Sequence, residues 1–228
     1  MQEIAQDIWS IDGPDVVFAG APMNTRMTIV KLSDGGLWVH SPIAYTEDTK
    51  AALRKIGGEV TALVAPNKYH YLYLEPWRAE HPNAQVFAES SLRTKVPELV
   101  KVEVLTNTAP QLYSLDIDQV IFAGNRFFQE AVFFHKPSKT LVLTDLMINL
   151  RTDAIPWLPK LLLRFEGAVY PNGGVPRLFR LLTRDKRAAQ TALAKIRGWS
   201  PERVLFCHGE PFTRSAQEIL DEQFAWLS

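Results

Sequence analysis

Short apolar runs separated by turn residues fill the first half of the chain. Runs of four to six apolar residues bounded by glycine, proline or aspartate predict strands, and they lie at residues 16–19, 27–32, 37–40, 60–65 and 84–88. The Asp34-Gly35-Gly36 turn predicts a hairpin between the second and third runs, so the sheet begins antiparallel. The continuously apolar run at 60–65 predicts a strand buried on both faces.

Two helical patterns interrupt these strands, at residues 46–56 before Gly57-Gly58 and at residues 74–81 before Pro82-Asn83. A second strand-rich block follows, with predicted strands at 102–105, 111–115, 120–122, 131–134 and 140–144. Residues 156–197 have a helical pattern, and a last strand at 203–207 precedes a terminal helix. Two sheet-rich halves, each followed by helices, predict an α+β fold with four layers in the order αββα. We expect one domain over residues 1–228, with a helical insertion around 151–197.

Composition narrows the classes of partner. The chain has 228 residues, 46% of them hydrophobic, with 25 Lys plus Arg against 25 Asp plus Glu. This balance gives no excess charge for nucleic acid or an anionic membrane, so we expect neither as a partner. Cys207 is the single cysteine, and the N-terminus has neither a basic region nor a long apolar run. Both features predict a cytoplasmic protein.

Three short segments carry the candidate chemistry: LVAPNKYHYLYLEPWRAEHPNAQVFA from residue 63, TLVLTDLM from residue 140 and VLFCHGEP from residue 204. Together they resemble the metallo-β-lactamase superfamily, and more closely its glyoxalase II-like hydrolase branch. That family places metal ligands in a His-x-His-x-Asp-His turn after a strand, at an aspartate ending a later strand, and at a histidine followed by glycine. The combination is similar to the DUF4336 family of bacterial and plant domains of unknown function.

The resemblance implies a reduced ligand set. If His70 matches the last histidine of the turn, Ala65 and Asn67 replace the first two histidines and Tyr69 replaces the aspartate. A shift of three residues would instead place Asn67 on the first histidine and leave no ligand matched. The family also has a Gly-His-x-x-Gly turn, but residues 124–130 contain no histidine.

By the same resemblance, Asp145 matches the aspartate that bridges two metals and His208 matches the last histidine. Together with His70 they would form a mononuclear site for one zinc or iron ion, since two imidazoles and a carboxylate suit Zn²⁺ or non-haem Fe(II). Such an ion activates water and polarises an ester, thioester or amide carbonyl. Four further residues are predicted to line the pocket: Asn67, Tyr69, His40 and Ser41.

Three functions remain open at this stage. The first is a metal-dependent hydrolase of a small-molecule ester or thioester. The second is an inactive ligand-binding protein that keeps the fold without metal, since histidines at strand ends are usually hydrogen-bonded and aspartates there often cap helices. The third is an interaction module in which residues 155–169 and an arginine face contact a partner or a second copy in a homodimer. That face comprises Arg177, Arg180, Arg184 and Arg187.

Overall fold

The computed structural model describes residues 1–18, 20–99 and 101–228. Ala19, the last residue of the predicted run 16–19, lies outside the described residues. The first sheet has seven strands in chain order: β1 (Gln2–Ala5), β2 (Ile8–Phe18), β3 (Ala21–Lys31), β4 (Leu37–His40), β5 (Val60–Ala65), β6 (Gln85–Ala88) and β7 (Val102–Val104). Strands β1 to β4 pair antiparallel, and β4 to β7 pair parallel.

The second half of the chain supplies β8 (Ile117–Phe122), β9 (Glu130–His135), β10 (Thr140–Val142), β11 (Ile148–Asn149), β12 (Arg203–Leu205) and β13 (His208–Gly209). Four of these strands form a second sheet in the order β12-β10-β9-β8. The remaining two, β11 and β13, form a short parallel pair in which Ile148 faces His208 and Asn149 faces Gly209. This pair extends from the edge of the sandwich that carries the candidate chemistry.

The helices are α1 (Glu47–Ile56), α2 (Leu74–Glu80), α3 (Ser91–Lys95), α4 (Trp157–Glu166), α5 (Arg177–Leu182), α6 (Lys186–Gly198) and α7 (Ala216–Gln223), followed by a 3-10 turn at Ala225–Leu227. Buried residues of α1 and α2 pack on the outer face of the first sheet. Buried residues of α6 and α7 pack on the outer face of the second. Trp38 and Phe133 pack between the two sheets with ring centroids 5.0 Å apart. The predicted four-layer α+β sandwich is confirmed.

Local chemistry explains most of the boundaries that the sequence predicted. Thr46 caps α1 because its side chain accepts the N–H of Thr49, and Gly57 ends the helix with a φ of 71°.

The predicted strand at 111–115 is wrong, because these residues form turns before β8. Tyr113 is buried there and donates its hydroxyl hydrogen to Gln119 at 2.7 Å, whereas Leu115 is 80% exposed. Apolar alternation in this segment therefore reflects one buried anchor and one exposed turn residue.

The predicted helical stretch 156–197 consists of three separate helices. Residues 167–176 between α4 and α5 run back beside β11, where Leu150 donates its N–H to Ala168 and Tyr170 donates its N–H to Leu150. The insertion is thereby attached to the strand pair that holds His208. No helix in the described part of the chain is both long and apolar enough to cross a membrane.

Candidate metal centre

His70, Asp145 and His208 meet at one edge of the sandwich. His70 lies in the turn after β5, Asp145 follows β10, and His208 begins β13. Asp145 Oδ2 lies 3.2 Å from His70 Nε2, and Asp145 Oδ1 lies 3.0 Å from His208 Nε2. The two Nε2 atoms are 3.2 Å apart. Three residues that are distant in the sequence therefore direct one ligating atom each at a common point.

The other nitrogen of each ring is already engaged. Ser41 Oγ lies 2.5 Å from His70 Nδ1, and the carbonyl oxygen of Asn24 lies 2.6 Å from His208 Nδ1. Because a carbonyl oxygen only accepts, His208 donates from Nδ1, and in its neutral form the ring has a lone pair on Nε2. That lone pair faces a carboxylate and a second ring nitrogen. The lone pair and the Asp145 carboxylate are two acceptors 3.0 Å apart, so their contact is favourable only with a proton or a metal ion between them.

The geometry of the donor set fits a metal ion. The ligating atoms all lie within 4.8 Å of one another. With bonds of 2.0–2.1 Å in a tetrahedral zinc site, neighbouring ligand atoms are about 3.3 Å apart, close to the 3.2 Å between the two Nε2 atoms. Each ring nitrogen approaches a different carboxylate oxygen of Asp145, at 3.2 and 3.0 Å. The three side chains are only 6 to 17% exposed, which limits the water that competes for the ion. Two imidazoles and one carboxylate suit Zn²⁺ or Fe(II).

Asn67 connects the turn that bears His70 to the strand end that bears Asp145. Its side-chain amide donates to Asp145 Oδ2 at 2.8 Å and to Thr144 Oγ1 at 2.9 Å. Its carbonyl oxygen accepts the backbone N–H of Tyr69 at 2.8 Å. Because Asn67 is fully buried, these bonds fix the carboxylate of Asp145 relative to the turn.

Glu130 is a buried carboxylate beneath the site, and the sequence did not single it out. Its two carboxylate oxygens accept the backbone N–H groups of Thr144, Asp145 and Leu146 at 2.7 to 3.0 Å. The Asn67 amide lies 3.4 Å from the same carboxylate. Glu130 therefore fixes the backbone that delivers Asp145. The available signal was a lone acidic residue at the start of an apolar strand, EAVFFH.

The charges of the site are coupled. Burial opposes ionisation of Asp145, yet the two histidines beside it hold the pKa of its carboxyl group well below the usual range. Burial also opposes protonation of His208, but hydrogen bonding and attraction to Asp145 raise its pKa. For Glu130, burial first and then the negative charge of Asp145 raise the pKa to about 7. The site therefore favours a positive charge next to Asp145.

Arg26 and Gly209 fix the strand that carries His208. Arg26 donates from Nη1 to the carbonyl oxygens of Phe206 at 3.1 Å and Gly209 at 3.0 Å, and its Nε contacts Asp12 at 2.7 Å. Gly209 has a φ of 96°, and a Cβ atom there would collide with the backbone of Asn149. Only glycine allows β13 to pair with β11 at this distance.

The four residues predicted to line a pocket differ in their surroundings. Asn67 and Ser41 contact the centre directly, as described. His40 is fully buried and stacks on Trp38 with centroids 5.4 Å apart, and among the described residues neither of its ring nitrogens has a hydrogen-bond partner. Tyr69 is 37% exposed and contacts Phe18 edge to face at 5.5 Å. The pocket-lining role of this set stays a prediction, as does the metal-binding role of the three ligands.

Comparison with known sequences identifies one family. The family model described as "Domain of unknown function (DUF4336)" matches residues 5–219. Among curated proteins, no relative matches the chain.

Comparison with solved structures shows the fold. The chain is similar to DIM-1 metallo-β-lactamase exposed to ceftazidime, with 15% identity, a TM-score of 0.66 and coverage of 99% of this chain and 94% of that one. A metallo-β-lactamase from Pontibacter korlensis has 13% identity and a TM-score of 0.60, with coverage of 99% of this chain and 97% of that one. The metal-soaked flavodiiron core of Flv1 from Synechocystis sp. PCC6803 has 11% identity and a TM-score of 0.67, with coverage of 98% of this chain and 59% of that one. At such low identity the similarity shows that the fold is that of metallo-β-lactamases.

Proposed function

The chain belongs to the DUF4336 family of domains of unknown function, and from this premise we propose that it is a metal-dependent hydrolase with a single-ion site. One observation supports this most strongly. The Nε2 atoms of His70 and His208 and the carboxylate of Asp145 converge within 4.8 Å, in a fold whose solved examples include metallo-β-lactamases and a metal-soaked flavodiiron core. The substrate class that we propose is a small ester or thioester.

The residues of this chain would divide the work as follows. His70, Asp145 and His208 would hold the ion, which when bound supplies Lewis acidity and lowers the pKa of a coordinated water. Ser41 and the carbonyl group of Asn24 orient the two rings through their Nδ1 atoms. Asn67 orients the carboxylate. Three protein ligands leave a coordination position open for water or substrate.

A water nucleophile agrees better with the surroundings than a thiol nucleophile does. Cys207 precedes His208 and is buried, with Sγ 3.7 Å from the carbonyl oxygen of Leu143. Burial raises the pKa of its thiol far above neutrality, so the thiolate is not available for attack. The Ser41 hydroxyl contacts His70 and is therefore the one hydroxyl that must be tested separately.

The decisive experiment is the metal content of protein purified without chelator or tag metal, measured by elemental analysis. We expect about one zinc or iron ion per chain, from the single set of three ligands, and loss of that ion in His208→Ala. His81→Ala is the matched control, because His81 lies at the end of α2 and contacts Tyr45 at 3.1 Å. Absence of metal after reconstitution, or equal metal in both variants, would refute the proposal.

Activity is then screened on esters and thioesters with the metal-loaded protein. Ser41→Ala should retain turnover at saturating metal, since water attacks. Complete loss of turnover in a Ser41→Ala protein that binds metal with the affinity of the wild type would instead assign the attack to the serine hydroxyl, because unchanged affinity shows that His70 is still oriented for the ion.

The metal-free binding protein is the second candidate, and the same distances favour it. Separations of 3.0 to 3.2 Å between the ring nitrogens and the carboxylate are also hydrogen-bond distances. One shared proton could replace the ion. In that case the protein contains no metal, and Asp145→Asn lowers stability without changing any metal content.

A further inference from the structure

Helix α4 has its apolar side toward solvent. Its sequence is WLPKLLLRFE, and none of its residues is buried. Five large apolar side chains are more than half exposed: Trp157 76%, Leu158 51%, Leu161 56%, Leu162 55% and Phe165 66%. At 100° per residue these five positions fall within one arc of the helix, about 140° wide. We call them the α4 stripe.

The α4 stripe exposes five large apolar side chains on one face of a helix. Soluble proteins rarely present contiguous apolar patches larger than a few hundred Å² without a binding partner. The stripe continues on α5, where Leu178 is 53% and Leu181 is 76% exposed. A surface of this kind is typical of a site that contacts a partner or a membrane.

Cations border the stripe. Lys160 and Arg164 lie one turn apart on one flank of α4, and Arg177 of α5 lies over the ring of Phe165 at 5.6 Å. In the described part of the chain none of the three takes part in an ion pair. Glu166, on the opposite flank of α4, accepts the N–H of Leu178 at 2.8 Å and keeps its negative charge, so three cations stand against one acid. The border of the stripe is thus positive.

We propose that the α4 stripe docks on an anionic lipid surface. An apolar helix face with tryptophan and phenylalanine, bordered by lysine and arginine, is the pattern of helices that lie in the membrane interface. With ten residues, α4 is about 15 Å long and would lie along the surface. Its apolar side chains enter the acyl boundary while Lys160, Arg164 and Arg177 contact the headgroups.

A second copy fits this surface less well. A symmetric contact between antiparallel α4 helices would bring the cations of two copies together, which is unfavourable in a dry interface. A lipid surface offers the opposite charge. From the balanced net charge of the whole chain we expected no membrane partner. A net charge does not show that cations are concentrated beside the α4 stripe.

The test is co-sedimentation of the full chain with phosphatidylcholine vesicles, with or without phosphatidylglycerol. We expect binding to the anionic vesicles that weakens as salt is raised. Leu161→Ser combined with Phe165→Ser should reduce binding about tenfold or more, because two large apolar side chains no longer enter the lipid. Lys160→Gln combined with Arg164→Gln should reduce it about fivefold per charge removed.

Leu115→Ser is the matched control, since Leu115 is 80% exposed in the turn before β8 and should leave vesicle binding unchanged. Circular dichroism of each variant verifies the fold. Failure of the wild-type chain to bind anionic vesicles would overturn the proposal. So would a dimer in sedimentation velocity that the Leu161→Ser and Phe165→Ser changes disperse, which would assign the stripe to a second copy.

Discussion

Polar side chains usually lie at the surface and large apolar side chains in the core. The candidate metal centre departs from the first rule and the α4 stripe from the second. At the centre a carboxylate, Glu130, is fully buried, whereas on the stripe a tryptophan, Trp157, is 76% exposed. A buried charge and an exposed tryptophan are both unfavourable for a chain selected only for stability. Departures of this kind concentrate at functional sites.

The two regions differ in where their requirements are met. The carboxylate oxygens of Glu130 and the amide of Asn67 find their partners within the chain. The side chains of the α4 stripe find none in the described structure. The comparison indicates that contacts within the chain position the side chains of the centre, and it agrees with our proposal that α4 contacts a surface outside the chain. Substitutions at the centre should therefore lower the free energy of unfolding, whereas substitutions on the stripe should leave it almost unchanged.

The largest effect is expected at Glu130. Glu130→Ala removes the acceptor of the Thr144, Asp145 and Leu146 N–H groups, which then remain buried without partners. We expect the free energy of unfolding to fall by about 3–5 kcal/mol, because each buried N–H group left without an acceptor costs about 1–3 kcal/mol. Urea unfolding followed by fluorescence measures it.

The matched substitution on the exposed side is Phe165→Ser. It also removes a large side chain, but one that is 66% exposed, so the free energy of unfolding should change by no more than about 0.5 kcal/mol. Equal losses in the two variants would show that α4 packs against the chain, and the contrast between the regions would disappear.

A smaller loss of stability is expected at Arg26, whose contacts hold the strand that carries His208. Arg26→Met keeps the apolar stem but removes the donors to Phe206 and Gly209. We expect a loss of about 1–3 kcal/mol in the free energy of unfolding and a 10- to 100-fold weaker affinity for zinc. Urea unfolding and competition with a chromophoric chelator provide the two measurements.

Arg151→Met is the control for this prediction. Arg151 pairs with Glu210, the residue after Gly209, at 2.6 Å, but its side chain is 58% exposed. Solvent screens such a pair, so zinc affinity should remain that of the wild type. If both variants weakened zinc binding alike, loss of positive charge near the site would explain the effect and the carbonyl contacts of Arg26 would not.

The sequence predicted the fold because its strands and turns have strong local signals. The apolar run at 60–65 coincides with β5, and the Asp34-Gly35-Gly36 turn joins β3 and β4 as expected. His70, Asp145 and His208 were named from resemblance to a family, and the structure brings them together. Their order along the chain was informative since strand ends on one edge of a sandwich converge.

The residues around the ligands could not be predicted in the same way. Asn24 contacts His208 through its backbone carbonyl, which carries no sequence signal. Glu130 acts on backbone N–H groups that any residue would supply. Arg26 contacts two backbone carbonyl groups besides its ion pair with Asp12. Such contacts depend on tertiary geometry.

The last effect, which appears only at acidic pH, is expected at His40, a buried polar residue that lacks hydrogen-bond partners among the described residues. Burial, and then the nearby His70, lower the pKa of His40 well below its usual value. The unfolded chain therefore binds a proton below about pH 6.5 that the folded protein does not bind. The free energy of unfolding must fall as pH decreases through this range, by at most about 1.4 kcal/mol per pH unit.

His40→Phe should remove this loss, since phenylalanine does not titrate and can stack on Trp38 as His40 does. We expect the stability of the variant relative to the wild type to be constant above pH 7 and to rise as the pH is lowered below 6.5. Because both proteins keep the candidate metal centre, the titration of that centre largely cancels in the difference. Parallel stability curves from pH 8 to 5 would mean that His40 gains a proton in the folded state. The distinction between a satisfied polar centre and an isolated buried histidine would then be wrong.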